Sequence, residues 1–429
     1  MLDISDIGYY RIEEAFISRY DKSGDSFNIA NMIASISFTE SIYSPVLIGN
    51  LFISDTSNIV DNFPIRGEEI LTLSYSDFFE NKVTQDYIIY GVENMGPNTQ
   101  QNSIGYLLKF ISPQAIMSAS RVVQKSYAGT TTDIINKIFA EYLTEQQRFE
   151  NARYEIETEE AVGVQTIVIP SLSPLRAIDF LKRRSFSADN KSSNYLFFQN
   201  RDRFKMVTHE KLIKDSRRER NFDSKKIYTH DPGMVIDSKS ADLALNNILE
   251  ISFPRRQDTI NEIQYGGMTS ETVEIDVLKK QYQLFPYNYK DEFQKYTHLD
   301  QNVKSPHTQA FIDKYFANPD NKVVSDVIFV DVERPNQKYR EISAQRRSSS
   351  FFLNSIVAKI EIYGRNDLFA GDIIRMNLPQ YEVVEGEKEL HQSLSGYWMV
   401  NEMIHKMEGK EYRMEVTVTK DLPKAGGVD

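Results

Sequence analysis

A β-rich α+β fold, two related strand blocks with two mixed α/β segments inserted, is what three features of this 429-residue sequence predict. Tyr (24) and Phe (25) are abundant while Gly and Pro stay modest, a balance that favours pleated, half-buried surfaces. Apolar residues alternate with period two in two regions far apart in the chain. The stretch PIRGEEILTLS from residue 64, a turn followed by such an alternation, returns as LFAGDIIRMNLP from residue 368.

The first block reads as a meander. Ile33, Ser35 and the pair Ile36 and Phe38 alternate, a second run covers residues 45–54, and Leu71, Leu73 and Tyr75 share one strand face. Residues 87–92 and 104–110 form two more strands, with a turn expected at the Asn, Gly and Pro of residues 94–99. The character changes near Ser112 and Pro113. Thr131 to Asp133 predicts a capped helix bearing Ile134, Ile135, Ile138, Phe139 and Tyr142 on one stripe. Ser173 followed by Pro174 announces a second helix, with Leu175, Ile178 and Leu181 on its face. A hairpin follows, from residues 194–198 and 203–207. Strand character resumes at residues 247–253, yields to a polar, aromatic and irregular stretch at 276–345, and returns at residues 356–363. The expected division is 1–115 and 236–275 with 346–422 for the two strand domains. Residues 116–235 and 276–345 are the insertions, and 423–429 a tail.

The second block parallels the first in order. Ile360 and Ile362 correspond to Leu51 and Ile53, Gly371 and Asp372 to Gly67 and Glu68, residues 397–400 to 87–90, and Tyr412, Met414, Val416 and Val418 to Ile104, Tyr106, Leu108 and Phe110. Counted from the glycine, the apolar face falls one residue later in the first copy, so a one-residue gap is needed. Any two meanders share turns and alternation; the common order relative to the inserted segments favours a duplication. A ring of n duplicated chains shows 2n similar domains to a partner.

With 61 acids against 50 bases, a formal net charge of -11, general nucleic-acid binding is disfavoured. The local basic runs, Lys182-Arg183-Arg184, Arg217-Arg218-Glu219-Arg220, Lys225-Lys226 and Arg346-Arg347, read as solvated faces or intersubunit ion pairs. The absence of cysteine excludes disulfides, thiolate metal sites and a cysteine nucleophile. No signal peptide and no run of membrane-spanning length is read, so synthesis and folding in a cytoplasm, without membrane insertion, are expected. His209, His230, His298, His307, His391 and His405 show no metal-ligand spacing, and no phosphate loop or nucleophile elbow occurs. No catalytic, cofactor or metal site is assigned.

The run SISFTESIYSPVLIGNLFISDTSNIVDNFPIRGEEILTLSYS from residue 35 carries a family resemblance, as do SPLRAIDFLKRRSFS with its hairpin SSNYLFFQNRDRFKM and the closing YGRNDLFAGDIIRMNLP and SGYWMVNEMIHKMEGKEYRMEVTVTKD. Together they resemble the central baseplate hub protein of T-even-type and related contractile-tailed bacteriophages. The resemblance implies two tube-forming β-barrel domains per chain and a homotrimer whose six barrels make a pseudo-sixfold ring. It places the chain in the virion's tail baseplate, between a threefold spike and a sixfold tail tube. Its implied partners are a trimeric spike protein, with or without a lysozyme domain, a tail tube or tube-initiator protein, and baseplate wedge proteins. DNA would pass through the channel without specific binding, and no enzyme activity or cofactor is implied. After the last strand only KDLPKAGGVD follows, so the spike is expected as a separate chain. Carboxylates lining such a channel would repel DNA phosphates, and Glu68, Glu69 and Asp372 beside the repeated turns are the candidates. Two other readings compete. A tail-associated cell-wall hydrolase would hide carboxylate chemistry in residues 116–235, and a glycan-binding module would use the aromatics between Tyr282 and Tyr296.

Overall fold

A computed structural model describes all residues except 1–6, 22–25, 58, 60–62, 99–102, 146–147, 219–225, 232, 234–240, 256–257, 296, 301–306, 317–323, 330–338, 381–389 and 423–429. The expected basic residues Arg220 and Lys225, and Tyr296, lie outside the described residues.

The first meander forms as its alternation predicts. Its strands are β1 (Arg11–Ser18), β2 (Phe27–Asn28), β3 (Ile33–Ser41), β4 (Ile48–Asp55), β5 (Ile70–Ser76), β6 (Lys82–Asn98) and β7 (Ser103–Ile111). They pair in the spatial order β3-β4-β7-β6-β5-β1-β2. Leu71, Leu73 and Tyr75 are buried on one face, as are Tyr106, Leu108 and Phe110. The turn expected at 94–99 does not form there. β6 instead continues through Asn98, pairing Gly96 with Gly105 and Pro97 with Ile104, and the irregularity is taken up as a register shift between Glu93 and Gly96.

The chain then builds a separate core. Helices α1 (Pro113–Ser120), α2 (Thr131–Tyr142), α3 (Pro174–Lys182) and α4 (His209–Arg218) alternate with β8 (Ser126–Gly129), β9 (Ile156–Thr158), β10 (Gln165–Val168) and the β11 (Tyr195–Gln199) and β12 (Phe204–Thr208) hairpin. The cap of α2 is Thr130, one residue before the expected position. Its hydroxyl accepts from the Asp133 amide while the Asp133 carboxylate accepts from the Thr130 amide, a reciprocal box. Ile134, Ile138, Phe139, Ile178, Leu181, Phe197 and Phe204 interlock beneath it.

The remaining elements are β13 (Ile227–Thr229), α5 (Ala241–Leu245), β14 (Glu250–Arg255), α6 (Thr259–Gln264), β15 (Thr269–Asp276), β16 (Gln281–Asn288), α7 (Tyr289–Glu292), α8 (Gln309–Tyr315), β17 (Val324–Phe329), α9 (Tyr339–Phe352), β18 (Ile356–Tyr363), β19 (Ile373–Asn377), β20 (Gly396–Glu408) and β21 (Glu411–Lys420). The stretch expected to be irregular thus carries regular structure. A three-stranded sheet, β16-β15-β17, is tied to α9 by Ser343 and Arg347, which both contact Asp326. Period-two alternation is blurred in the sequence there because Tyr282, Leu284, Val327 and Phe329 are apolar but exposed. The aromatic cluster divides: Tyr289 and Phe293 are buried beside Phe352, while Tyr282 is exposed.

The second strand block does not stand apart. β3 pairs with β20, from Ser41 opposite Glu402 to Ser35 opposite Glu408, so one 13-stranded sheet runs β14-β18-β21-β20-β3-β4-β7-β6-β5-β1-β2, with β19 on β20 and β13 on β19. Among the described residues the ladders close no barrel, because an edge of each block is used to continue the sheet into the other. One hydrophobic core follows the sheet through both blocks.

The two blocks repeat in register. The fixed point is the acid of the turn, not the glycine: the Glu69 carbonyl accepts from the Ile89 amide at 2.9 Å, and the Asp372 carbonyl from the Val400 amide at 2.8 Å. Placing Glu69 on Asp372 puts Leu71, Leu73 and Tyr75 on Ile374, Met376 and Leu378 with no gap. It also moves the correspondence of the next strand by one residue, so that Trp398, not Tyr397, matches Tyr87. Both copies carry a register shift at the same place, between Ile89 and Gly91 and between Val400 and Glu402. Gly49 opposite Phe110 matches Ala358 opposite Val418, a smaller partner facing the larger side chain in each case. A Cβ on Gly49 would lie 2.4 Å from the Phe110 ring and 2.6 Å from the Ser37 carbonyl oxygen. Gly49→Ala should therefore cost about 1–3 kcal/mol by overpacking, and adding Phe110→Val should recover part of it. Chemical denaturation of the two variants checks this, and an unchanged midpoint for Gly49→Ala would contradict the packing.

Candidate functional site

The two repeats and the first inserted segment meet at a buried polar seam. Alternation places Glu40 two residues beyond Phe38 on the core face of β3, where a carboxylate must find a partner or lose its charge. The partner comes from the tip of the β11–β12 hairpin. The Asn200 side chain shapes that turn by accepting from the Asp202 amide at 3.0 Å and the Arg203 amide at 2.8 Å, and Arg201 is thereby driven into the core at 1% exposure.

Arg201 uses its whole fork. Nε pairs with the Glu40 carboxylate, Nη1 donates to Asn366 Oδ1 at 2.8 Å, and Nη2 donates to the Leu368 carbonyl at 2.6 Å. Asn366 extends the network, its amide donating to Asp77 Oδ2 and its side-chain nitrogen to the Asn81 carbonyl, both at 2.7 Å. His405 stacks on Phe38 at 4.2 Å, shares a 2.6 Å hydrogen bond with the Tyr412 hydroxyl, and lies 3.5 Å from Glu40. Burial is the strongest influence on Glu40 and opposes its charge, but the Arg201 cation and the contact with His405 together offset it and hold the carboxyl below its ordinary value. Burial, reinforced by Arg201, pushes His405 down to about 4, so it is neutral at pH 7.

The candidate acids are not together in this seam. Glu68 is exposed. Glu69 is fully buried, its carboxylate accepting from the amides of Arg66, Gly67 and Glu68 at 2.7, 2.9 and 3.1 Å, with Arg19 at 3.6 Å. Asp372 accepts from the Phe369 amide at 3.1 Å and pairs with Lys226 at 3.2 Å. Two of the three carboxylates therefore shape the repeated turns around Gly67 and Gly371, whose φ angles are 88° and 92°. Larger acidic character lies elsewhere, on the polar face of β14, β18, β20 and β21. There Glu250, Glu361, Glu402 and Glu415 line a shallow depression with Lys359. Arg413 pairs with Glu361, and Lys406 with Glu415. Sequence reading missed Arg201, because an arginine in a hairpin turn ordinarily faces water. Glu40 left a readable sign, an acid in phase with Ile36 and Phe38.

Among the described residues no group of three or more His, Asp or Glu is arranged to hold a metal ion. Among the described residues no helix is long and apolar enough to cross a membrane.

No family model matches the sequence, and no curated protein matches it. Solved structures do. The chain is similar to a tail protein from Neisseria meningitidis MC58, with a TM-score of 0.54 and 10% identity over 96% of this chain and 97% of that one. The 43 kDa tail protein of prophage MuSo2 from Shewanella oneidensis aligns with a TM-score of 0.48 and 11% identity, over 96% and 100% of the two chains. The Neisseria comparison shows a shared fold across nearly the whole chain.

Two outcomes follow, one from the seam and one from the two buried histidines. Arg201→Ala leaves Glu40 buried without its cation and should cost about 3–5 kcal/mol, whereas Arg201→Met with Glu40→Gln should cost less. Denaturant titration of both variants checks the order. Second, His405 and His209 titrate near 4 in the fold against 6.5 in the free chain, with burial the first cause for each. The unfolded chain then takes up their protons first, so this stability is complete above pH 6.5 and declines towards about 4. Each contributes up to about 1.4 kcal/mol per pH unit in that window. His405→Gln should flatten the acid limb of the melting profile, and an unaltered limb would contradict the assignment.

Proposed function

We propose that this chain is the structural hub of a contractile tail's baseplate. It would act as a homotrimer whose six strand blocks form a pseudo-sixfold ring between a threefold spike and a sixfold tail tube. The observation that carries the reading is the β3–β20 joint together with two edges that match it and, among the described residues, have no strand paired to them. β14 is the counterpart of β3 and ends the sheet; the second half of β6 is the counterpart of the part of β20 that receives β3. Pairing β14 of one chain with β6 of the next would repeat the internal joint between chains.

Burial supports this. Ile36 and Phe38 are 1% exposed inside the joint, whereas their counterparts Ile251 and Phe253 are only partly buried. On the receiving side Met403 and Tyr412 are fully buried, and their counterparts Val92 and Ile104 are only partly so. Each open edge also carries a proline, Pro254 and Pro97, which limits the ladder and protects the free chain from indiscriminate pairing. The same fold in a protein described as a tail protein agrees with a tail role. In such a ring the acidic sheet face with Glu402 and Glu415 is a better candidate than the turns for a wall that DNA slides past.

Phe253→Lys places a charge on the core side of the open edge. Light scattering should give three times the 49.6 kDa chain mass for the unaltered protein and a folded monomer for the variant. An unaltered protein that is monomeric at high concentration, or a variant that still trimerises, would overturn the reading.

A further inference from the structure

Two basic runs that look like separate solvated faces in the sequence converge in the fold. The C-terminal end of α3 brings Lys182 and Arg183, and α9 brings Arg346, to one pocket of about 380 Å³. Its apolar walls are Tyr43, Tyr195, Leu196 and Leu353. Charge there is not balanced. Lys182 and Arg183 share one acid, Asp179, each at 2.8 Å. Arg346 donates Nη2 only to the carbonyls of Arg183 at 2.8 Å and Ser193 at 3.4 Å, and among the described residues no carboxylate pairs with it. Burial, followed by the nearby Arg183, lowers its pKa to about 10.

A second feature belongs to the same pocket. His209, the first residue of α4, lines the pocket, is 7% exposed, and has a buried Nδ1 without a hydrogen-bond partner. A buried ring nitrogen left unmatched is costly unless a ligand completes it.

We propose that this pocket binds an acidic side chain from a short segment of a neighbouring protein, its carboxylate between Arg346, Lys182 and Arg183 and its stem against Tyr195, Leu196 and Leu353. The planar fork of Arg346 suits a carboxylate, and a pocket near the small end of the ligand-site range suits one side chain and its flanks. A peptide fits better than nucleic acid, because the whole chain carries a formal charge of -11 and repels an extended polyanion while tolerating one or two carboxylates. The proposal does not depend on the ring.

The test is fluorescence anisotropy at low salt with fluorescein-labelled Leu-Glu-Glu-Leu-amide, using the full chain, with unlabelled peptide, inorganic phosphate and a 12-nucleotide single strand as competitors. Saturable binding should weaken at least tenfold in Arg346→Gln and be unaffected in Arg413→Gln on the sheet face. Unlabelled peptide should displace the probe at lower concentration than phosphate or the oligonucleotide. If Arg346→Gln fails to fold, Arg183→Gln, at a side chain 67% exposed, should still weaken binding several-fold. No saturable binding, equal binding by the variants, or displacement by phosphate or the oligonucleotide as readily as by peptide would each overturn the proposal.

Discussion

The ladder between β3 and β20 is the interaction on which the rest of the molecule depends. It turns two strand blocks into one sheet, and it places Glu40 against the neutral His405 in a core that must compensate the carboxylate. Isolated, that acid would lose its charge or destabilise the sheet. The hairpin of the inserted segment solves the problem by delivering Arg201, so the insertion locks the joint between the repeats as well as forming its own core. A buried pair of this kind is a modest source of net stability but a strong constraint on register, since a slip of either strand would strand a charge.

The repetition is preserved at the level of hydrogen bonds and volume more than of residue identity. Glu69 and Asp372 both cap their own turn and begin a ladder with Ile89 and Val400, while the glycine before them shifts by one position. Side chains vary in compensating pairs, as Gly49 with Phe110 and Ala358 with Val418 show. The copies have diverged at their flanks, where β1 joins β5 antiparallel but β13 joins β19 parallel. Their free edges remain alike, which would let the proposed joint between chains repeat the one inside a chain.

Much of this was legible in the residues. Strands with one buried face, the capped helix starting at Thr131, the helix that Pro174 begins, and the recurrence of a turn plus alternation all follow from short-range rules. The lost items are long-range. Edge pairing of β3 with β20 joins residues some 370 positions apart in the chain and leaves no local trace, so two blocks were readable but their fusion was not. The sheet of β15, β16 and β17 was obscured because its exposed apolar residues blur the polar and apolar alternation. Glu69 and Asp372 read as candidate channel-lining acids because sequence shows charge but not the amides that claim it. The meeting of Arg183 with Arg346 likewise needs the tertiary fold.

The central claim is that the internal joint is a unit of assembly. Electron microscopy of the purified chain, with class averages computed without imposed symmetry, tests it most directly. The account predicts hollow rings with six similar lobes made by three chains. Solid single-chain particles, or rings whose lobes number other than two per chain, would contradict it.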